Sequence, residues 1–140
     1  MTWNIASKIV RRVVTIDESH SVLDAATLMA EEFVGSVVIT SSSKIAGIFT
    51  ERDLMMRVVG KKRDPERVRI KDVMTKDAVI VSPKDTASYC LNLMKDHRCR
   101  HLLVFDGDEF VGMVSLRDMV ALLLEEKEAL IGYLQQYISS

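Results

Sequence analysis

Cysteine and proline are scarce in this chain, with two of each in 140 residues. Cys90 and Cys99 form no C-x-x-C pair and no metal-ligand spacing, so the sequence carries neither a disulfide framework nor a thiolate zinc pattern. No apolar run approaches the ~20 residues of a membrane-spanning helix. The stretch from Met1 to Arg11 is interrupted by Asn4, Ser7 and Lys8, unlike the apolar core of a signal peptide, and the cytoplasm is the expected compartment. Charge of one sign is not in excess: 19 Lys and Arg stand against 20 Asp and Glu, a formal net charge of −1. That balance supplies no general attraction to nucleic acid or to an anionic membrane. P-loop, G-x-G-x-x-G and G-x-S-x-G patterns are all missing. No Ser or Cys has a base placed for it by the sequence, so no active site is legible and no enzyme is expected.

What the chain does have is a repeat. Gly47-Ile48-Phe49-Thr50-Glu51-Arg52-Asp53 recurs as Gly112-Met113-Val114-Ser115-Leu116-Arg117-Asp118, a constant offset of 65 residues (112 less 47). Going backwards, Leu28 and Met29 answer to Leu93 and Met94, and Val14 to Val79. Self-similarity at a fixed period means one structural unit used twice. Cys90 falls opposite Ala25 and Cys99 opposite Val34, so both occupy small apolar slots and read as buried, reduced thiols. The hydrophobic share of 48% and charged share of 28% are those of an ordinary globular protein.

Each copy reads strand, helix, strand, strand, helix. In the first, the β-branched run Arg12 to Ile16 predicts a strand. Ser21 to Phe33 has the helical period, with Gly35 expected to end it. Ser36 to Thr40 and Ile45 to Phe49 predict a hairpin, and Glu51 to Val59 a helix that stops at Gly60. In the second, Ala78 to Val81 predicts a strand broken by Ser82-Pro83, and Asp85 to Asp96 a helix. His101 to Phe105 and Phe110 to Val114 predict a hairpin around Asp106-Gly107. The last helix runs from Leu116 toward Ile138. Gly60 to Arg69 is basic; with Pro65 in it, the run reads as a solvated connector rather than a buried element. The expected architecture is α/β (α+β). Two pseudo-symmetric β-α-β-β-α units, residues 5–60 and 70–124, pack face to face, with a linker at 61–69 and a C-terminal helical extension at 125–140.

The repeated polar pair, Thr50 with Asp53 and Ser115 with Asp118, sits where a strand becomes a helix. A hydroxyl three residues before an acid is a capping box, in which both side chains satisfy orphan backbone N–H groups. Two further features point to a ligand. A glycine three residues earlier lets another group approach the backbone, and the strand-to-helix turn offers free N–H groups to an anion. An ionised Asp accepts only, and so suits the paired O–H donors of a ribose.

These residues resemble the CBS (cystathionine β-synthase) domain family. The resemblance rests on the pattern hydrophobic-Gly-hydrophobic-hydrophobic-Thr/Ser-x-Arg-Asp in two copies. It rests also on Asp72-Val73-Met74-Thr75 opening the second unit and Arg100-His101-Leu102-Leu103-Val104 in its middle strand. It covers Ile5 to Leu124 as a tandem pair. With the Tyr-containing C-terminal helix, the chain looks like small stand-alone CBS-pair proteins of bacteria and plants. The resemblance implies a regulatory module, without cofactor or enzymatic activity, that binds an adenine nucleotide (AMP, ADP, ATP, sometimes NAD or S-adenosylmethionine) in clefts between the units. It implies hydroxyl contacts to phosphate or ribose from Thr50 and Ser115, and ribose contacts from Asp53 and Asp118. It places the base against Val10 and Val13 in one cleft, and against Thr75, Ala78 and Val79 in the other. The first unit departs from the pattern, having Ser7-Lys8-Ile9-Val10 where the second has its Asp-x-Met-Thr opening.

The two clefts are therefore expected to differ. Arg100 and His101 stand where the first unit has Gly35 and Ser36, which favours a phosphate at the Ser115/Asp118 cleft. The Thr50/Asp53 cleft faces Thr75 and draws a cation only from Arg52, Arg57 or the linker. His97, Cys99 and His101 do not share a helical face, so no metal is expected. Val120, Leu124, Lys127, Ile131, Leu134 and Ile138 alternate by four and three, a coiled-coil-like seam interrupted at Lys127, and predict a homodimer that signals to a regulated partner protein. The rival readings are a ligand-independent dimerisation scaffold, a nucleic-acid binder using Lys61 to Arg69, and a small hydrolase.

Overall fold

A computed structural model describes residues 3–139. The chain divides into two compact units that do not follow the repeat boundaries. One is Val13–Ala78; the other combines the segment before it with the segment after it, residues 3–12 and 79–139.

In the first unit, β1 (Thr15–Asp17) leads through α1 (Val22–Glu32) to β2 (Ser36–Ser41) and β3 (Lys44–Thr50). The sheet order is β1-β2-β3, with β1 parallel to β2 and β2 antiparallel to β3. α1 starts in a capping box, Ser21 with Asp24. It ends at Phe33, which takes the left-handed conformation at φ 55° and ψ 42°. The expected terminator, Gly35, lies beyond the helix. The backbone bond from Val34 N–H to Met29 O already closes the last turn at Phe33. Ser42 and Ser43 both have positive φ, as a tight hairpin demands. Val37, Ile39 and Phe49 of the sheet meet Val22, Ala25 and Met29 of α1 in one core.

After Thr50 the structure departs from the expected single helix. A short α2 (Glu51–Asp53) passes into a π-helical turn, Leu54–Val59. Gly60 then closes it with an ordinary right-handed φ of −64°. Its glycine character serves close approach instead: a Cβ there would lie 2.8 Å from Met55 O. The connector is also less detached than its charge suggests. Val68 is buried in the core, and its carbonyl accepts from Val22 N–H at 2.9 Å. α3 (Ile70–Val73) follows, and Ile70, Val73 and Met74 join the same core.

The second unit repeats this plan. β4 (Ile80–Val81), α4 (Ala87–His97), β5 (His101–Asp106) and β6 (Glu109–Ser115) build a sheet of order β4-β5-β6. Both β1 and β4 begin later than the β-branched runs predict, although Val14 O and Val79 O still accept from Val38 and Leu103. The hairpin turns at Gly107, φ 62°. The strand irregularity between Ile39 and Thr40 recurs between Val104 and Phe105. Arg98 repeats the left-handed cap of Phe33. Cys90 is fully buried in the core, as is its counterpart Ala25, while Cys99 is half-buried. Burial pushes the Cys90 thiol up to about 11, with Asp85 adding to the rise. α5 (Leu116–Ser139) is one continuous helix that includes the expected C-terminal extension.

The opening segment of each repeat completes the sheet of the other. In the second unit, a 3₁₀ turn (Ile5–Lys8) buries Ile5 in the core, and Val10 pairs antiparallel with Met113 of β6. In the first unit, Thr75 pairs in the same way with Ile48 of β3.

Candidate functional site

The glycine of the repeated motif is explained by this exchange. A Cβ on Gly47 would lie 2.5 Å from Thr75 O, and one on Gly112 only 2.3 Å from Val10 O. Gly112 also has φ +152°. The group approaching the backbone is thus the chain's own opening segment. Each glycine admits the carbonyl that bonds to the neighbouring strand: Ile48 N–H to Thr75 O at 3.0 Å, and Met113 N–H to Val10 O at 3.0 Å.

The capping reading of the polar pairs also holds in both copies. Asp53 N–H donates to Thr50 Oγ1 at 3.2 Å, and Thr50 N–H to Asp53 Oδ2 at 3.0 Å. Asp118 N–H donates to Ser115 Oγ at 3.2 Å, and Ser115 N–H to Asp118 Oδ2 at 3.1 Å. Each pair is worth about 1 kcal/mol as a cap. The carboxylate at such a helix start leaves lone pairs for other donors, and a ribose diol would supply two.

The structure sorts the candidate residues between the two units. With Thr50 and Asp53, the first unit holds Thr75, Gly35, Val13 and Ala78. Thr75 Oγ1 donates to the Asp53 carboxylate at 3.2 Å. Gly35 O accepts from Glu51 N–H at 2.9 Å, which places the turn before β2 against the start of α2. With Ser115 and Asp118, the second unit holds Arg100, His101, Val10 and Val79. His101 is the cross-strand partner of Ser115, and Arg100 O accepts from Leu116 N–H at 2.8 Å. Arg100 is exposed and His101 half-buried. The backbone therefore sets Arg100 and His101 beside the second copy, at the places that Gly35 and Ser36 occupy in the first. The opening runs do not stay together. Val10 and Val13 fall in different units, as do Ala78 and Val79.

Arg57 has a larger part than a place among possible cations. Its Nη1 donates to the carbonyls of Val73, at 3.1 Å, and Met74, at 3.0 Å, and its Nε lies 3.7 Å from Asp53 Oδ1. The sequence signal for this role is its position four residues after Asp53, the spacing of a helical ion pair. Among the described residues, no group of three or more His, Cys, Asp or Glu is placed to hold a metal, and no helix is long and apolar enough to cross a membrane.

Comparison with known proteins agrees with this geometry. The sequence pattern of the CBS domain matches residues 6–60 and 70–125. The chain is 30% identical over 123 residues to the mitochondrial CBS domain-containing protein CBSX3 of Arabidopsis thaliana, covering 84% of this chain and 60% of that protein. The curated relatives first matched are longer proteins, of which the chain spans 60% or less. Among solved structures, a Burkholderia ambifaria protein described as a signal-transduction protein with CBS domains is 36% identical. It superimposes with a TM-score of 0.79, over 82% of this chain and 85% of that one. A hexameric CBS-CP12 protein of bloom-forming cyanobacteria superimposes with a TM-score of 0.78 at 28% identity, over 86% of this chain and 71% of that one.

Proposed function

The chain belongs to the CBS domain family, as a tandem pair, and from that premise we propose that it is a regulatory module, not an enzyme, that binds an adenine nucleotide. The observation that carries this reading is the duplicated hydroxyl–carboxylate pair at a strand-to-helix turn in each unit. The Ser115 hydroxyl, at the positive end of the α5 dipole, meets a phosphate. Asp118 takes the ribose hydroxyls, and the exposed Arg100 and neighbouring His101 supply positive charge. Val10 and Val79 offer apolar surface to the base. Thr50 and Asp53, with Thr75, Gly35, Val13 and Ala78, are the corresponding residues of the first unit.

We also propose that the chain self-associates through α5 and transmits nucleotide occupancy to a partner protein. Val120, Leu124, Ile131, Leu134 and Ile138 are all exposed along one stripe of this helix. Apolar surface in that quantity calls for a partner, and the hexameric CBS-CP12 protein offers a precedent for self-association. The alternative, a ligand-independent scaffold, has one observation in its favour: both carboxylates are engaged by their own caps. Equilibrium titration with AMP, ATP and NAD, with native mass spectrometry of the purified protein, separates the two. Saturable binding of at least one nucleotide supports the sensor; the absence of any leaves the scaffold.

A further inference from the structure

The two carboxylates are not equally available, and the difference lies in two residues outside the caps. Thr75 Oγ1 is 3.2 Å from both oxygens of Asp53, and Arg57 Nε is 3.7 Å from Oδ1. Asp53 is only 8% exposed. By the repeat offset, Thr75 corresponds to Val10 and Arg57 to Leu122, neither of which has a donor on its side chain.

The π-helical turn produces this contrast. It accommodates one extra residue in its winding. In α5 the core position is taken by Leu122, 1% exposed. In the first unit it is taken one place later, by Val58, 0% exposed. Arg57, at the place of Leu122, is thereby released from the core. It turns to Asp53 and to the carbonyls of Val73 and Met74, the segment that also carries Thr75. One guanidinium and one hydroxyl thus bind the opening segment of the second repeat to the carboxylate of the first.

We propose that Arg57 and Thr75 form a latch that commits Asp53 to its own unit, so that each chain holds one nucleotide, at Ser115 and Asp118. This rests on the nucleotide reading above. A ribose diol at Asp53 must displace the Thr75 hydroxyl and share the carboxylate with a guanidinium, whereas at Asp118 it meets the pair's own Ser115 hydroxyl, 2.9 Å from Oδ2, and the residues in the places of Thr75 and Arg57 bring no donor.

The test is calorimetric titration of the full chain with AMP and with ATP. The wild type is expected to take one nucleotide per chain. The double variant Arg57→Leu/Thr75→Val removes the donors of the latch. It is expected to take two, with at least a tenfold gain in affinity at the added site. Thr75→Val alone keeps the side-chain shape and the backbone pairing with Ile48. It serves if the double variant fails to fold, and is expected to show a weaker second site. Two nucleotides per wild-type chain, or one in both the wild type and the folded variants, overturn the latch. Failure of every form to bind either nucleotide overturns the nucleotide reading itself, and the latch as a control on binding with it.

Discussion

Thr75 Oγ1 stands 3.2 Å from each carboxylate oxygen of Asp53, across 22 residues of chain. Its repeat counterpart, Val10, makes the same backbone bridge without a hydroxyl. Removing one partner of a nearly buried carboxylate leaves that charge short of a donor, which costs about 1–3 kcal/mol. Thr75→Val is therefore expected to lower unfolding free energy by about that amount in urea. The reciprocal change Val10→Thr, at an exposed residue, is expected to move it by less than about 0.5 kcal/mol. Equal effects from the two changes would contradict the asymmetry.

Gly47→Ala and Gly112→Ala place a methyl group 2.5 and 2.3 Å from a backbone carbonyl that cannot retreat without breaking the bridge. Each is expected to destabilise by about 2 kcal/mol or more. Gly112→Ala should be the worse, because its φ of +152° adds backbone strain. Hydrogen exchange should show the Gly112 variant losing protection at Val10 and Met113, and the Gly47 variant at Ile48 and Thr75. Unchanged protection at both bridges would refute the close-approach account.

Asp118→Ala is expected to reduce AMP or ATP affinity at least tenfold, through loss of charge-assisted hydrogen bonds worth about 1.5–3 kcal/mol. The lost cap costs about 1 kcal/mol of stability in addition. Calorimetry and thermal melts separate the two effects. A lowered melting temperature with unchanged affinity would leave Asp118 as a cap alone.

Ending the chain after Glu126 removes Leu130, Ile131, Leu134 and Ile138 together, all exposed on α5. Light scattering is expected to find the full chain self-associated and the shortened chain monomeric. A monomeric full chain, or association that survives truncation, would rule out the helix as the contact.

The Cys90 thiol, raised from the usual 9.0 to about 11 by burial, favours its neutral form in the folded state. Its stabilising contribution is complete below pH 9 and is lost as pH rises toward 11. Cys90→Ala copies the alanine at the equivalent place and removes this contribution. Melting temperatures from about pH 8 to 11 are expected to fall more steeply for the wild type than for the variant. Parallel curves would show that the thiol does not contribute.

Much of the fold is legible in the order of residues alone. Thr50 with Asp53 and Ser115 with Asp118 are caps written in residues three apart, and the strands and α1 follow from periods of two and 3.6. The alignment of Cys90 with Ala25 is enough to put that thiol in the core. Local patterns mislead at two places. Phe33 closes α1 although Gly35 has the better propensity, because the last turn closes at Phe33 through the Val34–Met29 backbone bond. The run after Thr50 is π-helical because Val58 fills the core and Arg57 is drawn to Asp53, Val73 and Met74.

The duplication, the order of elements in each copy and the chemistry of the repeated pair all follow from residues near one another in the chain, and reading them needs no third dimension. Which unit each opening segment completes, why the motif glycines are there, and which carboxylate is committed emerge only from the folded chain. Those outcomes rest on single contacts across tens of residues, Val10 with Met113 and Thr75 with Ile48 and Asp53. A repeat offset predicts that two positions are equivalent; it does not reveal that a hydroxyl at one of them finds a carboxylate while a valine at the other has none to offer.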